Sequence, residues 1–379
     1  MKTNFIKILI LIVAFGQTVL TANAQIGNTR YGDYAYPSLT GGGNSAFGTY
    51  ALNANTNGNY NTALGTAALY HNTSGSSNTG VGRWALYSNT SGLYNTSVGS
   101  MSMYQNTYGV ENTSVGMNSL MRNSYGSYNA AVGMNAMSWN TSGMFNTASG
   151  AYALFNNGSG GSNAASGSYS MYSNRTGSEN VGEGMYALYY NQTGSSNTAV
   201  GYYTLPNNQV GSNNTVIGHN SGGGIFSGNG NTIVGANVTG LASSLSNTII
   251  LADGTGNQRL VIDSNGKTRI GIASLSTPGS YKLYVEQGIL TEKVVIAIAN
   301  STEWADYVFS PEYRLAPLSE VAKFVSENHH LPNVPSATEV VKSGVNLAAM
   351  DAKLLEKIEE LTLYIIQLES RINSLEEKK

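Results

Sequence analysis

The chain has 379 residues, with 45 glycines, 7 prolines, no cysteine and a formal net charge of -2. Charged side chains make up 11% of it, against about 25% in an ordinary globular domain. That balance offers no electrostatic case for binding nucleic acid or an anionic membrane, and without cysteine there is no disulfide, thiol nucleophile or cysteine-ligated zinc.

Residues 1–24 have the pattern of a secretion signal. Lys2 and Lys7 flank the start of an apolar run from Phe5 to Val13 that continues weakly to Leu20, and Ala22-Asn23-Ala24 supplies small residues for cleavage before Gln25. The expectation is export through the general secretory pathway to the cell surface, where the protein is outer-membrane-associated or extracellular. No other stretch approaches the roughly 20 apolar residues of a membrane span, so none is expected in the mature chain. Residues 25–43 form a cap or linker.

Residues 44–251 are a repeat. Twelve glycines recur at an interval of seventeen: Gly48, Gly65, Gly82, Gly99, Gly116, Gly133, Gly150, Gly167, Gly184, Gly201, Gly218 and Gly235. An asparagine stands four residues before each, and a second glycine ten residues after, from Gly58 to Gly228. The consensus is N-T-x-V-G-x-x-A-L-Y-x-N-T-S-G-x-x. Such self-similarity means stacked supersecondary units. Only six charges fall inside it: Arg83, Glu111, Arg122, Arg175, Glu179 and Glu183.

Glycine and asparagine at fixed places in every seventeen residues would break helices, so the repeat predicts short strands joined by tight turns, with Asn and Gly at corners that need left-handed backbone angles. Two apolar columns are expected to point inward. One precedes the key glycine (Phe47, Leu64, Val81, Val98, Val115, Val132, Val200, Ile217, Val234) and the other follows it by four (Leu52, Leu69, Leu86, Met103, Leu120, Met137, Leu154, Met171, Leu188, Leu205). Tyr70, Tyr87, Tyr104, Tyr172 and Tyr189 then point outward by alternation, as a seam between subunits or a binding surface. The asparagine columns are expected to hydrogen-bond along the axis, as stacked amides do in cross-β structures. Ser149, Ser166 and Glu183 replace the first apolar column in three successive repeats, which predicts a weaker middle. After Leu205 the A-L-Y unit gives way to Ser221-Gly222-Gly223-Gly224, and Asn247-Thr248 falls one residue out of phase. Twelve coils at about 4.8 Å each would make a rod of roughly 60 Å.

The run NTALGTAALYHNTSGSSNTGVGRWAL resembles the head repeats of trimeric autotransporter adhesins. The resemblance implies a left-handed parallel β-roll and a homotrimer. The coil here is longer than the usual head repeat, and the chain lacks the amphipathic C-terminal strands of that family's outer-membrane anchor, so self-translocation is not implied.

Residues 252–299 read as a β neck. Leu260 to Ile272 predicts a hairpin around Ser264-Asn265-Gly266, and a second strand pair, Tyr281–Val285 with Val294–Ile298, is expected around Gly288. Residues 300–345 are expected to form a small α+β domain. In it, Leu318 to Asn328 has helical spacing after Pro317, and Ser336-Ala337-Thr338-Glu339 is a capping box for a short helix ending at Gly344. Residues 346–379 carry a heptad with Leu354, Leu361, Leu368 and Leu375 at d and Ile358, Ile365 and Ile372 at a, a coiled-coil oligomerisation helix. Ile at a with Leu at d favours two strands, whereas the roll favours three; as the larger element, the roll sets the expected number.

This last third is similar, in KLYVEQGILTEKV, WADYVF, HLPNVPSATEV and LLEKIEELTLYIIQLE, to tail-fibre-like ends of secreted proteins of Bacteroidetes, and more distantly to the endosialidase-type intramolecular chaperone of phage tail spikes. The second resemblance implies a trimerising role. In that family a Ser-Asp pair carries self-cleavage, and the nearest local counterpart is Ala305-Asp306, with alanine in place of the nucleophile.

No catalytic, cofactor-binding or metal site is expected. His329-His330, with Glu327 nearby, is the only paired histidine and belongs to a helix end, since a metal needs convergent ligands. Thr62, Thr79, Thr96 and Thr113 line one column, but the second threonine column, Thr56 to Thr107, becomes Ser124, Gly158 and Arg175, which weakens an ice-binding reading. The sequence therefore points to a non-enzymatic, exported surface fibre or adhesin-like structural protein. Its partners would be further copies of itself and a surface receptor, glycan or matrix protein. The alternative is a phage-derived tail-fibre-like protein that removes its own C-terminal chaperone; intact-mass spectrometry showing loss of a fragment near residue 300 would select it.

Overall fold

The computed structural model describes residues 27–36, 41–271, 279–296 and 304–378; the stretch expected to be a secretion signal and part of the expected neck lie outside them. The chain divides into two compact units, Met1–Gly288 and Ile289–Lys379.

The first unit is a parallel β-solenoid of about fourteen turns. Each turn contributes one short strand: Thr29–Tyr31 (β1), Ser45–Phe47 (β2), then β3 to β13 from Thr62–Leu64 to Thr232–Val234, and Ile249–Ala252 (β14). Each strand pairs in parallel with the next at an offset of seventeen, from Ser45↔Thr62 to Thr232↔Ile249. The β1–β2 offset is sixteen, Thr29↔Ser45. The coil thus extends one turn beyond the twelve glycine-marked repeats at each end. The last turn keeps its phase rather than slipping: Thr248 occupies the asparagine position and donates its N–H to Asn231 Oδ1 at 3.1 Å.

The interior corrects the expected orientation of one column. Within each strand the middle residue is buried (Ala46, Ala63, Ser97, Ser114, Ala131), and the residue before the key glycine points out. Val115 is 38% exposed, Val132 48% and Leu64 50%. The cause is alternation: the asparagine four before the glycine is buried, so the next residue faces out, the middle one in and the last one out. The core is therefore the Leu/Met column, fully buried from Leu52 to Leu205, packed against small strand residues. Ser149, Ser166 and Glu183 lie on the surface and do not weaken the core. Where the Leu/Met column ends, Gly222 stands in its place and the strand residues enlarge to Val216, Ile233 and Ile250, all buried. Interior volume passes from one column to the other.

Two asparagine ladders close the coil. Asn44 to Asn231 form one, and Asn55 to Asn208 the other; both are buried throughout. In the first, Asn112 donates its N–H and its Nδ2 to Asn95 Oδ1, at 3.0 and 3.1 Å, and Nδ2 also donates to the Gly126 carbonyl at 2.8 Å. In the second, Asn123 Nδ2 donates to Asn106 Oδ1 at 2.7 Å and to that same Gly126 carbonyl at 2.8 Å. One glycine carbonyl per turn ties both ladders together. The second ladder stops at Asn208, whose Oδ1 finds no donor because Ile225 holds the next position. The ladder asparagines do not adopt left-handed angles; the core Leu and Met residues do, with φ of 48–54° from Leu52 to Leu205. That conformation costs about 1–2 kcal/mol per residue, and stacking holds it in place: Leu69 N–H, for example, donates to the Ala85 carbonyl at 2.9 Å.

At the C-terminal end, Gln258–Ile262 (β15) runs antiparallel to β14, and Thr268–Ile270 (β16) antiparallel to β15, which is the hairpin expected around Asn265-Gly266. Leu283–Val285 (β17) pairs with β16 in parallel. Residues 294–296 are not in a strand, and the remainder of the expected partner, 297 and 298, lies outside the described residues.

In the second unit a 3₁₀ turn, Ala305–Phe309, precedes Leu318–Asn328 (α1), Ala337–Ser343 (α2) and Leu347–Glu376 (α3). Residues 304–345 contain no strand, so the α+β expectation is corrected to an all-helical one for the described residues. The capping box is present, with Glu339 N–H donating to Ser336 Oγ at 3.3 Å and Ser336 N–H to Glu339 Oε2 at 2.8 Å.

Candidate functional site

With its polar backbone satisfied internally, the solenoid presents side chains in columns, and function has to be sought there. The strand face carries two outward columns. One is mainly threonine (Thr62, Thr79, Thr96, Thr113, Thr147, Thr198, Thr215, Thr232) and the other is the apolar column before the key glycine. The apolar column runs unbroken through Phe47, Leu64, Val81, Val98, Val115 and Val132, is interrupted by Ser149, Ser166 and Glu183, and resumes at Val200, Ile217, Val234 and Leu251. Thr56, Thr73 and Thr90 belong elsewhere: their hydroxyls donate along the axis, to the carbonyls of Thr73, Thr90 and Thr107 at 2.8–3.0 Å. They do not form a second column of free hydroxyls, and the ice-binding reading loses support.

The tyrosine column is half-buried rather than projecting. Its rings stack along the axis: Tyr70 on Tyr87 at 5.2 Å and 6°, Tyr87 on Tyr104 at 5.0 Å and 11°, Phe155 on Tyr172 at 5.1 Å and 5°, Tyr172 on Tyr189 at 5.2 Å and 13°. Burial and the neighbouring tyrosines push the phenols of Tyr87 and Tyr189 above their usual range. A second aromatic column, two residues after the key glycine, stacks alongside, with Tyr152 on Tyr169 at 5.0 Å and Tyr169 on Tyr186 at 5.4 Å. The sequence reading missed this column because alanine, methionine and asparagine interrupt it. Arg83 and Arg122 lie over the Trp84 and Trp139 rings at 3.6 and 3.4 Å.

In the second unit, α3 packs on the 3₁₀ turn through a buried charged cluster. Tyr307 Oη donates to Glu356 Oε2 at 2.6 Å, Lys357 Nζ bridges Glu356 and Glu360 at 2.9 and 2.7 Å, and Tyr313 Oη donates to Glu360. Burial alone would raise the Glu356 carboxyl, but the hydrogen bonds from Tyr307, Lys357 and Lys353 outweigh it and lower it to about 2. The bond to Glu356, then burial, push the Tyr307 phenol up to about 12. The lowered carboxyl adds stability above its ordinary value of 4.5, lost as pH falls from there towards 2. The raised phenol adds stability below 10, lost as pH rises from there towards 12. Helical circular dichroism of the chain is expected to weaken at both limits, and Glu356→Gln should flatten the acid limb and, by removing the carboxylate that holds the Tyr307 phenol up, reduce the alkaline limb as well.

A cavity of about 280 Å³ beside this cluster is lined by Tyr313, Leu318, Val321, Leu331, Leu361 and Tyr364, among others. His329 ends α1 in the left-handed conformation, its N–H donating to the Val325 carbonyl at 2.9 Å. Among the described residues no three His, Asp or Glu side chains are grouped to hold a metal, and no helix is long and apolar enough to cross a membrane. Along α3 the heptad residues are exposed, Ile365 at 64% and Leu361 at 58%. Compared with known protein families, curated proteins and solved structures, the chain matches none.

Proposed function

We propose that this protein is a non-enzymatic, exported surface fibre with an adhesin-like role, in which the solenoid is the contact surface and the C-terminal region drives homo-oligomerisation. The observation that carries this reading is the exposed apolar column on the strand face. Six successive coils, from Phe47 to Val132, present Phe, Leu or Val outward at a repeat of about 4.8 Å, the kind of contiguous apolar surface that marks an interaction site. The strand face, about 10 Å wide over fourteen coils, projects roughly 650 Å² before side-chain relief is counted, approaching the ~800 Å² per partner of a stable interface. The lateral seam is therefore assigned to this face and not to the half-buried tyrosines, whose faces are partly taken up by one another. The exposed heptad of α3 supplies a second apolar stripe suited to a coiled coil, and three copies fit the adhesin-head resemblance.

Sedimentation equilibrium of the secreted chain at micromolar concentration is expected to give the trimer mass. A monomer would overturn the reading. The triple variant Val98→Ser, Val115→Ser, Val132→Ser should leave the circular dichroism and unfolding of the solenoid almost unchanged, because exposed positions contribute within about 0.5 kcal/mol each, while weakening self-association.

A further inference from the structure

The aromatic residues of the solenoid are not spread evenly. Between Tyr152 and Tyr189 both aromatic columns are filled at once. Tyr152, Tyr169 and Tyr186 stack in one, Phe155, Tyr172 and Tyr189 in the other, and the columns touch, with Tyr169 at 5.8 Å from Tyr172 and Tyr186 at 5.4 Å from Tyr189. Tyr190, Tyr202 and Tyr203 extend the cluster and are exposed. These are the same coils in which the apolar strand column turns polar at Ser149, Ser166 and Glu183. Within one chain, the stretch least suited to packing on another copy through the strand face carries the densest aromatic surface.

The stacking leaves that surface usable. Rings in van der Waals contact lie about 3.5 Å apart, so centroid separations of 5.0–5.4 Å mean each ring is slipped roughly 3.5–4 Å across its neighbour. They overlap like tiles, with part of each face and each hydroxyl edge uncovered; all six stacked rings are partly exposed. Arg175, Glu179 and Glu183 are the charged residues between Ala151 and Asn207, and none stands in either aromatic column, so the stacked rings themselves offer an anionic ligand no cation. A peptide strand has no sheet edge to join here, since each strand is paired on both sides. A lipid chain would bury the phenol hydroxyls without partners.

We propose that this corner binds a neutral polysaccharide, which rests on the reading of the solenoid as a contact surface and assigns its ligand class. A sugar ring offers apolar C–H faces to the uncovered aromatic faces and hydroxyls to the phenol edges. A polymer of such rings meets a ladder of tyrosines repeated once per coil. The binding is non-covalent and uses residues distinct from the strand-face seam.

The test uses the whole secreted chain, with cellohexaose, N-acetylated chitohexaose and mannohexaose as neutral probes and heparin as an anionic one, followed by calorimetry. At least one neutral hexasaccharide is expected to bind. Tyr169→Asn, Tyr186→Asn and Tyr172→Ser together should weaken it about tenfold or more, as the loss of three ring contacts would. Asn135, Asn220 and Ser138 occupy the matching positions of other coils, so these replacements suit the fold. Asn135→Tyr, which adds a ring next to Tyr152, should tighten binding. Binding of heparin alone, binding of none, or unchanged affinity in both variants overturns the proposal. The sedimentation mass of the same samples separates this outcome from failure of the oligomer: a trimer without glycan binding sinks only the ligand, and a glycan-binding monomer sinks only the assembly.

Discussion

Gly116→Ala is expected to disrupt the solenoid around its own coil. Gly116 has φ of +136°, outside what L side chains readily adopt, and an added Cβ would sit 2.5 Å from the Gly133 carbonyl oxygen and 2.7 Å from its carbon. Both obstacles are backbone, held by the Gly133 N–H donating to the Val115 carbonyl at 2.8 Å, so neither can swing aside. Strain of about 1–3 kcal/mol and overpacking of about 1–3 kcal/mol together predict a loss of roughly 2–6 kcal/mol. Hydrogen exchange over residues 105–140 should show it as lost protection, local because each coil touches only its neighbours. Gly223→Ala is the control. Its Cβ meets nothing within 4 Å and its φ is not positive, so protection should be unchanged. Equal effects at the two positions would mean that glycine serves only as a generic loop residue.

Asn112→Ala is the second large effect, and it acts through hydrogen bonds. Asn112 Oδ1 accepts from both the N–H and the Nδ2 of Asn129, at 3.0 and 3.1 Å. Truncation removes that acceptor and leaves the Asn129 N–H buried without its partner, while Asn129 Nδ2 keeps only the Gly143 carbonyl. The Gly126 carbonyl retains Asn123 as donor, so the damage runs along one ladder and not across to the other. Unsatisfied buried donors cost about 1–3 kcal/mol each, and the vacated side-chain volume adds to this, for a total of about 2–5 kcal/mol. Urea unfolding followed by Trp84 and Trp139, which lie on either side of the substitution, should shift to lower denaturant. A matching shift for Asn156→Ala, a half-buried position outside both ladders and without a left-handed backbone, would argue against the ladder account.

Much of this architecture was legible because it is periodic. The seventeen-residue interval, the parallel stacking it requires and the role of Asn61 or Asn112 as stacked amides follow from residues that must repeat for the coil to close. The capping box at Ser336 and the hairpin at Asn265-Gly266 were legible for a local reason, since their side chains bond to backbone a few residues away. Column orientation was harder. Val115 and Leu120 are both apolar and repeat at the same interval, so spacing treats them alike; the buried Asn112, three residues before Val115, is what forces Val115 out. The left-handed backbone at Leu120 was also hidden, because the residues usually associated with that conformation, Asn and Gly, stand nearby in every turn.

By itself, then, the amino-acid order determined that this chain coils and at what period, because those properties need only self-similarity and local backbone preference. Which columns face outward was decided by the tertiary structure. A column's direction depends on what lies across a narrow interior, and there a fully buried Leu/Met column leaves room for only Ala, Ser or Gly on the opposing strand. That crowding, with the alternation set by the buried asparagines, leaves the valines on the surface and moves the candidate contacts to faces that spacing alone could not tell apart.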